Sequence, residues 1–207
     1  DVLAITDHDT VDGIEEAIAY QYSQKRAMKI IAGVEISTSW HNFDIHILGL
    51  NVNINDPVFL QRLTEQSERR DDRAGRINEK LSKAGVDGVL PVARRLAGKG
   101  QITRAHFARA MVQMGAVNNA EGAFRKYLGK GKRAHVKPQW ISIAEAVNWI
   151  HDAGGQAVLA HPGHYDMTTK WLRRLLEEFS LAGGDGMEVV HSHLSPDKKR
   201  LLIELAE

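Results

Sequence analysis

Apolar and polar positions repeat with two different periods along the chain. Short apolar runs fall at 2–6, 30–36, 43–50, 156–160 and 186–190, and each predicts a β-strand. Helical spacing fills the stretches between them. Over 11–27, Ile14, Ala17 and Ile18 share a face, and Thr10 is the expected N-cap. Residues 57–84 read as one long, heavily charged helix, and each of the last two strands leads into a further helix. Alternation of this kind predicts a parallel sheet or a (β/α) barrel.

The middle of the chain breaks the pattern. From 86 to 140 the sequence is helical, basic and interrupted by glycines, with one helix expected from Ile102 to Met114 and another from Ala120 to Leu128. The expected organisation is an α/β domain over 1–85 and 141–207, with a small helical insertion at 86–140. The first strand begins directly after Asp1, and the chain closes inside the amphipathic run Leu201 to Glu207. Both ends read as cut, so the domain is expected to be truncated at each end.

Composition narrows the function classes. With 207 residues, 43% hydrophobic and 26% charged, the chain suits an ordinary globular fold. No run approaches the roughly 18 apolar residues of a membrane helix. No cysteine is present, which excludes disulfides, thiolate metal sites and a cysteine nucleophile, and suits a reducing cytoplasm. The net charge of +1 conceals an asymmetry. Residues 94–137 carry eleven Lys or Arg and one acid, Glu121, giving +10, while the remainder holds 27 − 11 = 16 basic and 26 − 1 = 25 acidic residues. A basic segment in a near-neutral chain points to a local anionic partner, phosphate or nucleic acid. No membrane association and no obligate protein partner are expected.

The ten histidines carry the chemistry. The first strand ends in Thr6-Asp7-His8-Asp9-Thr10, the second carries Gly33-Val34-Glu35, the third holds His46 between Ile45 and Ile47, and the strand at 156–160 ends in His161-Pro162-Gly163. Strand ends on one side of a parallel sheet could aim His8, Glu35, His46 and His161 into one pocket. Imidazole and carboxylate without sulfur suit Zn²⁺, Mn²⁺ or Fe²⁺. For Glu35, flanked by Val34 and Ile36, the alternative is a buried salt bridge.

These motifs, in this order, resemble those of the PHP (polymerase and histidinol phosphatase) family, and the likeness spans the whole chain. Within it, Ile102 to Arg109, Tyr127-Leu128 with Gly129 to Lys132, and Pro138-Gln139-Trp140 are most similar to the YciV/TrpH branch. The resemblance implies a distorted (β/α)7 barrel, a centre of up to three divalent metals, usually manganese with Zn²⁺, Fe²⁺ or Mg²⁺ as alternatives, and hydrolysis of phosphoesters. The branch's substrates are nucleoside 3′,5′-bisphosphates and the 5′ ends of short RNA. By position, His8, Glu35, His46 and His161 match ligands, with Glu35 as the catalytic bridge between two metals. The family's opening His-x-His and closing Asp-x-His motifs are not among these residues.

Other residues follow from that frame. Asp7, Asp9 and Glu188 are candidates to orient the ligands from behind. Arg104 and His106 are expected to hold the substrate's second phosphate, the alternative for Arg104 being a pair with a nearby carboxylate on the helix. Lys126, Lys130, Lys132, Arg133 and Lys137 could track an RNA backbone or simply face solvent. Tyr127 and Trp140 could stack on bases or pack the insertion's core. His191 and His193 sit near the expected site without matching ligands, and His41, His135, His151 and His164 read as loop or surface residues. Trp149 and Trp171 read as helix core. The rival functions are a histidinol-phosphatase-like phosphomonoesterase, which would need no basic insertion, and a noncatalytic RNA-binding module.

Overall fold

The computed structural model describes residues 1–25 and 27–207. The strands are β1 (Val2–Ile5), β2 (Lys29–Trp40), β3 (Phe43–Leu50), β4 (Gln156–Leu159) and β5 (Gly186–Met187). The helices are α1 (Ile14–Ser23), α2 (Pro57–Lys83), α3 (Val89–Ala97), α4 (Arg104–Gln113), α5 (Ala120–Ala123), α6 (Ile143–Asp152), α7 (Thr169–Leu181) and α8 (Pro196–Ala206). A π turn (Phe124–Leu128) extends α5, and a 3₁₀ turn (Pro162–His164) follows β4.

The fold is mixed α/β. Among the described residues, the strands form one five-stranded sheet in the order β1-β2-β3-β4-β5. β1 and β4 pair in parallel with β2 and β5 respectively, whereas β3 runs antiparallel to both β2 and β4. This corrects the expectation of an all-parallel sheet. Only His41 and Asn42 separate β2 from β3. Two residues close a hairpin, while a parallel crossover needs a dozen or more. His41 takes the positive φ of 50° that the tight reversal requires.

Helix boundaries also shift. α1 starts at Ile14 with Gly13 at its N-cap, while Thr10 Oγ1 instead accepts from Asp12 N at 3.2 Å. The helix expected over 11–27 therefore ends at Ser23, and position 26 lies outside the described residues. α6 begins with a full capping box, Ser142 and Glu145 bonding each other's backbone N–H.

By contacts the chain forms two units: Asp1–Leu63 with Trp140–Glu207, and Thr64–Gln139. The first boundary falls within α2, not at 85/86, because α2 carries the start of the helical unit's core. In the α/β unit, Ile36, Ile45, Ile47, Ile143, Ile150 and Leu159 are fully buried around the sheet. Alternation along β3 puts Ile45 and Ile47 on that core face and His46 on the other. In the helical unit, Ile77, Leu81, Phe107, Met111 and Leu128 form a separate core. Tyr127 is buried there, and Trp140 is buried in the α/β unit, so both take the packing role rather than the stacking one.

Candidate metal centre

Sheet register brings the first two groups together. Ser37 stands opposite His46, and Glu35 stands opposite Leu48. Glu35 and His46 are thus diagonal neighbours on one face, within reach of long side chains. His161 arrives from beyond β4, where Ala160 N donates to His46 O at 3.0 Å. Its backbone then enters the left-handed region, φ 31° and ψ 53°, a conformation a non-glycine residue holds only under constraint. His8 joins through an isolated bridge to Glu35, framed by Glu35 N donating to Asp7 O and Asp9 N donating to Glu35 O, each at 3.0 Å.

One carboxylate is the hub of the cluster. Glu35 Oε1 lies 2.8 Å from His46 Nδ1 and 2.8 Å from His161 Nε2, and those nitrogens are 3.2 Å apart. Glu35 Oε2 faces His8 Nδ1 at 3.8 Å. Ligand atoms of His8, Glu35 and His46 lie within 4.8 Å of one another. In a tetrahedral site with bonds of about 2.0–2.2 Å, ligand atoms stand about 3.3–3.6 Å apart. The 2.8–3.2 Å spacings therefore need only a small outward shift to admit a divalent ion. The residues fit such an ion in donor chemistry as well as in spacing.

The local electrostatics agree. Burial alone would raise the Glu35 pKa, but hydrogen bonds from His161 and His46 and the charges of His8 and His46 outweigh it. They hold the carboxyl well below the ordinary carboxylate range. Burial would lower the His161 pKa, yet its hydrogen bond and charge interaction with Glu35, with Glu188 adding to them, raise it. An anionic carboxylate shared by imidazoles supplies the charge and the donors of a candidate cation site.

Further residues hold this arrangement. Glu188 Oε2 accepts from His161 backbone N at 2.6 Å, so its carboxylate fixes the strained His161 loop. Asp9 is buried, and its Oδ1 accepts from Ser37 N at 2.8 Å. It therefore ties the His8 loop to β2. Asp7 is exposed, its carboxylate near Gly13.

Tyr165 carried no signal in the sequence. Its hydroxyl accepts from His46 backbone N at 2.9 Å, and its ring meets His161 edge-on at 5.5 Å. Burial pushes its pKa up, so the phenol stays protonated. The 3₁₀ turn explains its placement, since it reverses the chain between His161 and Tyr165. His164 stacks on His161 at 5.8 Å and meets His191 at 4.1 Å, so both border the cluster. Gly163 lies close under these rings: a Cβ there would fall 2.4 Å from Leu194 Cδ2 and 2.6 Å from His191 Nε2, so both side chains would have to move. His151 belongs to α6, paired with Asp185 at 2.8 Å.

Arg104 and His106 lie in the helical unit, on the first turn of α4. His106 Nδ1 accepts from Thr103 N at 3.1 Å and completes a capping box with it. Burial and Arg109 lower the His106 pKa, favouring the neutral acceptor form. The Arg104 guanidinium lies 6.0 Å from the centroid of the Phe124 ring. Lys126, Lys130, Lys132, Arg133 and Lys137 are all exposed. No helix among the described residues is long and apolar enough to cross a membrane.

No family model matches the chain. It is 47% identical over 204 residues to the 5′-3′ exoribonuclease Rnm of Escherichia coli (strain K12), covering 99% of this chain and 70% of that protein. It is 41% identical to the 3′,5′-nucleoside bisphosphate phosphatase of Chromobacterium violaceum, covering 95% of this chain and 68% of that one. A solved amidohydrolase of Chromobacterium violaceum, with bound sulfate and no metal, superposes with a TM-score of 0.90 at 40% identity, over 99% of this chain and 72% of that one. Identity at this level over nearly the whole chain means that it belongs to the PHP-type phosphoesterase family that includes Rnm and the nucleoside bisphosphate phosphatase.

Proposed function

We propose that this protein is a metal-dependent phosphoesterase that hydrolyses nucleoside 3′,5′-bisphosphates and digests short RNA from its 5′ end. One observation carries the reading: a single carboxylate, Glu35, offers one oxygen to His46 and His161 and the other to His8. Such a carboxylate can serve two cations at once, and the charge it supplies suits divalent ions, with manganese our assignment. The names of the relatives supply the substrate classes.

His8, Glu35, His46 and His161 would hold the metal. A bound divalent cation supplies Lewis-acid activation of water and neutralises charge on the phosphate oxygens. The chain's own residues then do the positioning. Glu188 and Tyr165 lock the backbones of His161 and His46, so the imidazoles present fixed lone pairs. Arg104, capable of bidentate contact, is the proposed partner for a substrate phosphate. His106, with Nδ1 committed to the helix cap, has Nε2 left as its only contact point. The sheet order is compatible with part of a distorted (β/α)7 barrel, which we propose as the complete architecture. Cytoplasmic RNA and nucleotides are the proposed substrates' location.

The test is phosphate release from a nucleoside 3′,5′-bisphosphate with added Mn²⁺, alongside metal analysis. Activity that requires metal and vanishes in Glu35→Ala is the expected result. Full activity in that variant would overturn the assignment of the centre.

A further inference from the structure

The helical unit contains a cleft of about 480 Å³ beside the joint between α5 and the π turn. Its volume lies within the roughly 300–1,000 Å³ of ligand pockets. Two kinds of surface line it. Ala116, Val117 and Gly122 form an uncharged part, while Arg125 and Lys126 supply two cations, with the exposed amide of Asn118 nearby. No carboxylate lines the cleft, and Asn119 Oδ1 is taken up by Gly122 N at 2.8 Å.

The π turn is what sets both cations there. It closes with Gly129 N donating to Phe124 O at 2.8 Å, an i→i+5 bond. Such turns are rare and recur at functional sites. Here it leaves consecutive residues, Arg125 and Lys126, lining the same cleft. Intramolecular interactions compete little for these charges. Arg125 meets Glu121 at 3.6 Å with both side chains mostly solvated, a pair of small worth. Lys126 Nζ lies 5.0 Å from the centroid of the buried Tyr127 ring.

We propose that this cleft is a backbone subsite for single-stranded RNA. Arg125 and Lys126 hold a phosphodiester, and Ala116, Val117 and Asn118 seat the adjoining nucleoside. The proposal rests on the reading of RNA as a substrate. It adds a contact made to RNA and not to a mononucleotide, so the cleft favours a chain over a nucleoside bisphosphate.

The test compares the wild type with Arg125→Ala/Lys126→Ala and with the charge-preserving Arg125→Lys/Lys126→Arg. Binding of a short, fluorescent, 5′-phosphorylated RNA is measured by anisotropy across a salt series with divalent metal chelated. Bisphosphate hydrolysis with Mn²⁺ is measured on the same samples. The alanine pair is expected to bind RNA about tenfold more weakly, with a salt slope shallower by about 0.7 for each lost phosphate contact. The charge-preserving pair should bind as the wild type does, and bisphosphate hydrolysis should stay within about twofold in both variants. Unchanged RNA affinity and slope in the alanine pair would overturn the subsite, and so would a parallel loss of bisphosphate hydrolysis. A wild type that neither binds the RNA nor hydrolyses the bisphosphate would instead refute the parent reading.

Discussion

Glu35 is buried enough to pay for desolvation and close enough to His46 and His161 to stay ionised. Glu35→Gln keeps the shape and removes the charge. Bound divalent metal should fall, and phosphate release should drop more than about 100-fold, with circular dichroism unchanged. The pH response follows from signs. The raised His161 pKa contributes stability that is fully present below the unfolded value of about 6.5 and is lost as pH rises through the higher folded value. Metal binding has the opposite slope, because the imidazoles must be neutral. The rise in Tm on adding Mn²⁺ should therefore grow between about pH 6 and about pH 8, and a rise that shrinks over that window would contradict the ligand assignment. At this scale the sequence exposed Glu35 and His46, two of the proposed ligands, through their placement: a histidine or a glutamate inside an apolar strand is costly and marks itself. Tyr165 left no such mark, because a tyrosine in a loop is ordinary until the 3₁₀ turn carries its hydroxyl to the His46 amide.

The elements that hold the centre make separate, weaker demands. α6 packs against β2, β3 and β4, and its start depends on the Ser142–Glu145 box. Ser142→Ala should cost about 1 kcal/mol, which for a chain of this size lowers Tm by about 2–4 °C. Metal stoichiometry should not change, and that separates a stability effect from a ligand effect. Gly33 makes a sharper demand. A Cβ there would meet Ile5 O at 2.9 Å and Gly49 O at 3.0 Å, both backbone atoms on neighbouring strands. Gly33→Ala should therefore destabilise more than Ser142→Ala and spread β1 from β2, which thermal melts of the two variants would rank. Strand positions and the long α2 were legible from periodicity. The antiparallel return of β3 was not, since the polar run Ser37-Thr38-Ser39 reads as a strand end although it continues the ladder to Trp40. β2 holds those polar residues because Thr38 Oγ1 donates to Ile45 O and Ser37 N finds Asp9.

For the molecule as a whole, charge is distributed very unevenly: a net +1 overall and +10 over residues 94–137. The asymmetry was legible by counting, and the structure adds that Arg125, Lys126, Lys130, Lys132, Arg133 and Lys137 are exposed. The proposed metal ligands belong to the α/β unit and this basic segment to the helical unit, so the two proposed substrate classes should respond to salt differently. A nucleoside bisphosphate depends mainly on the cation and a few direct phosphate contacts. An RNA chain also displaces counterions along its backbone, and each phosphate contact adds about 0.7 to the slope of log affinity against log salt. Raising salt from about 50 mM to about 200 mM should therefore raise KM for a short RNA several-fold more than KM for the bisphosphate, with kcat for both nearly constant. Steady-state kinetics on the two substrates, at matched Mn²⁺, measure this directly. Equal salt sensitivity would mean that the basic segment is solvated surface with no part in substrate choice, and the centre would then act on any phosphomonoester that reaches it.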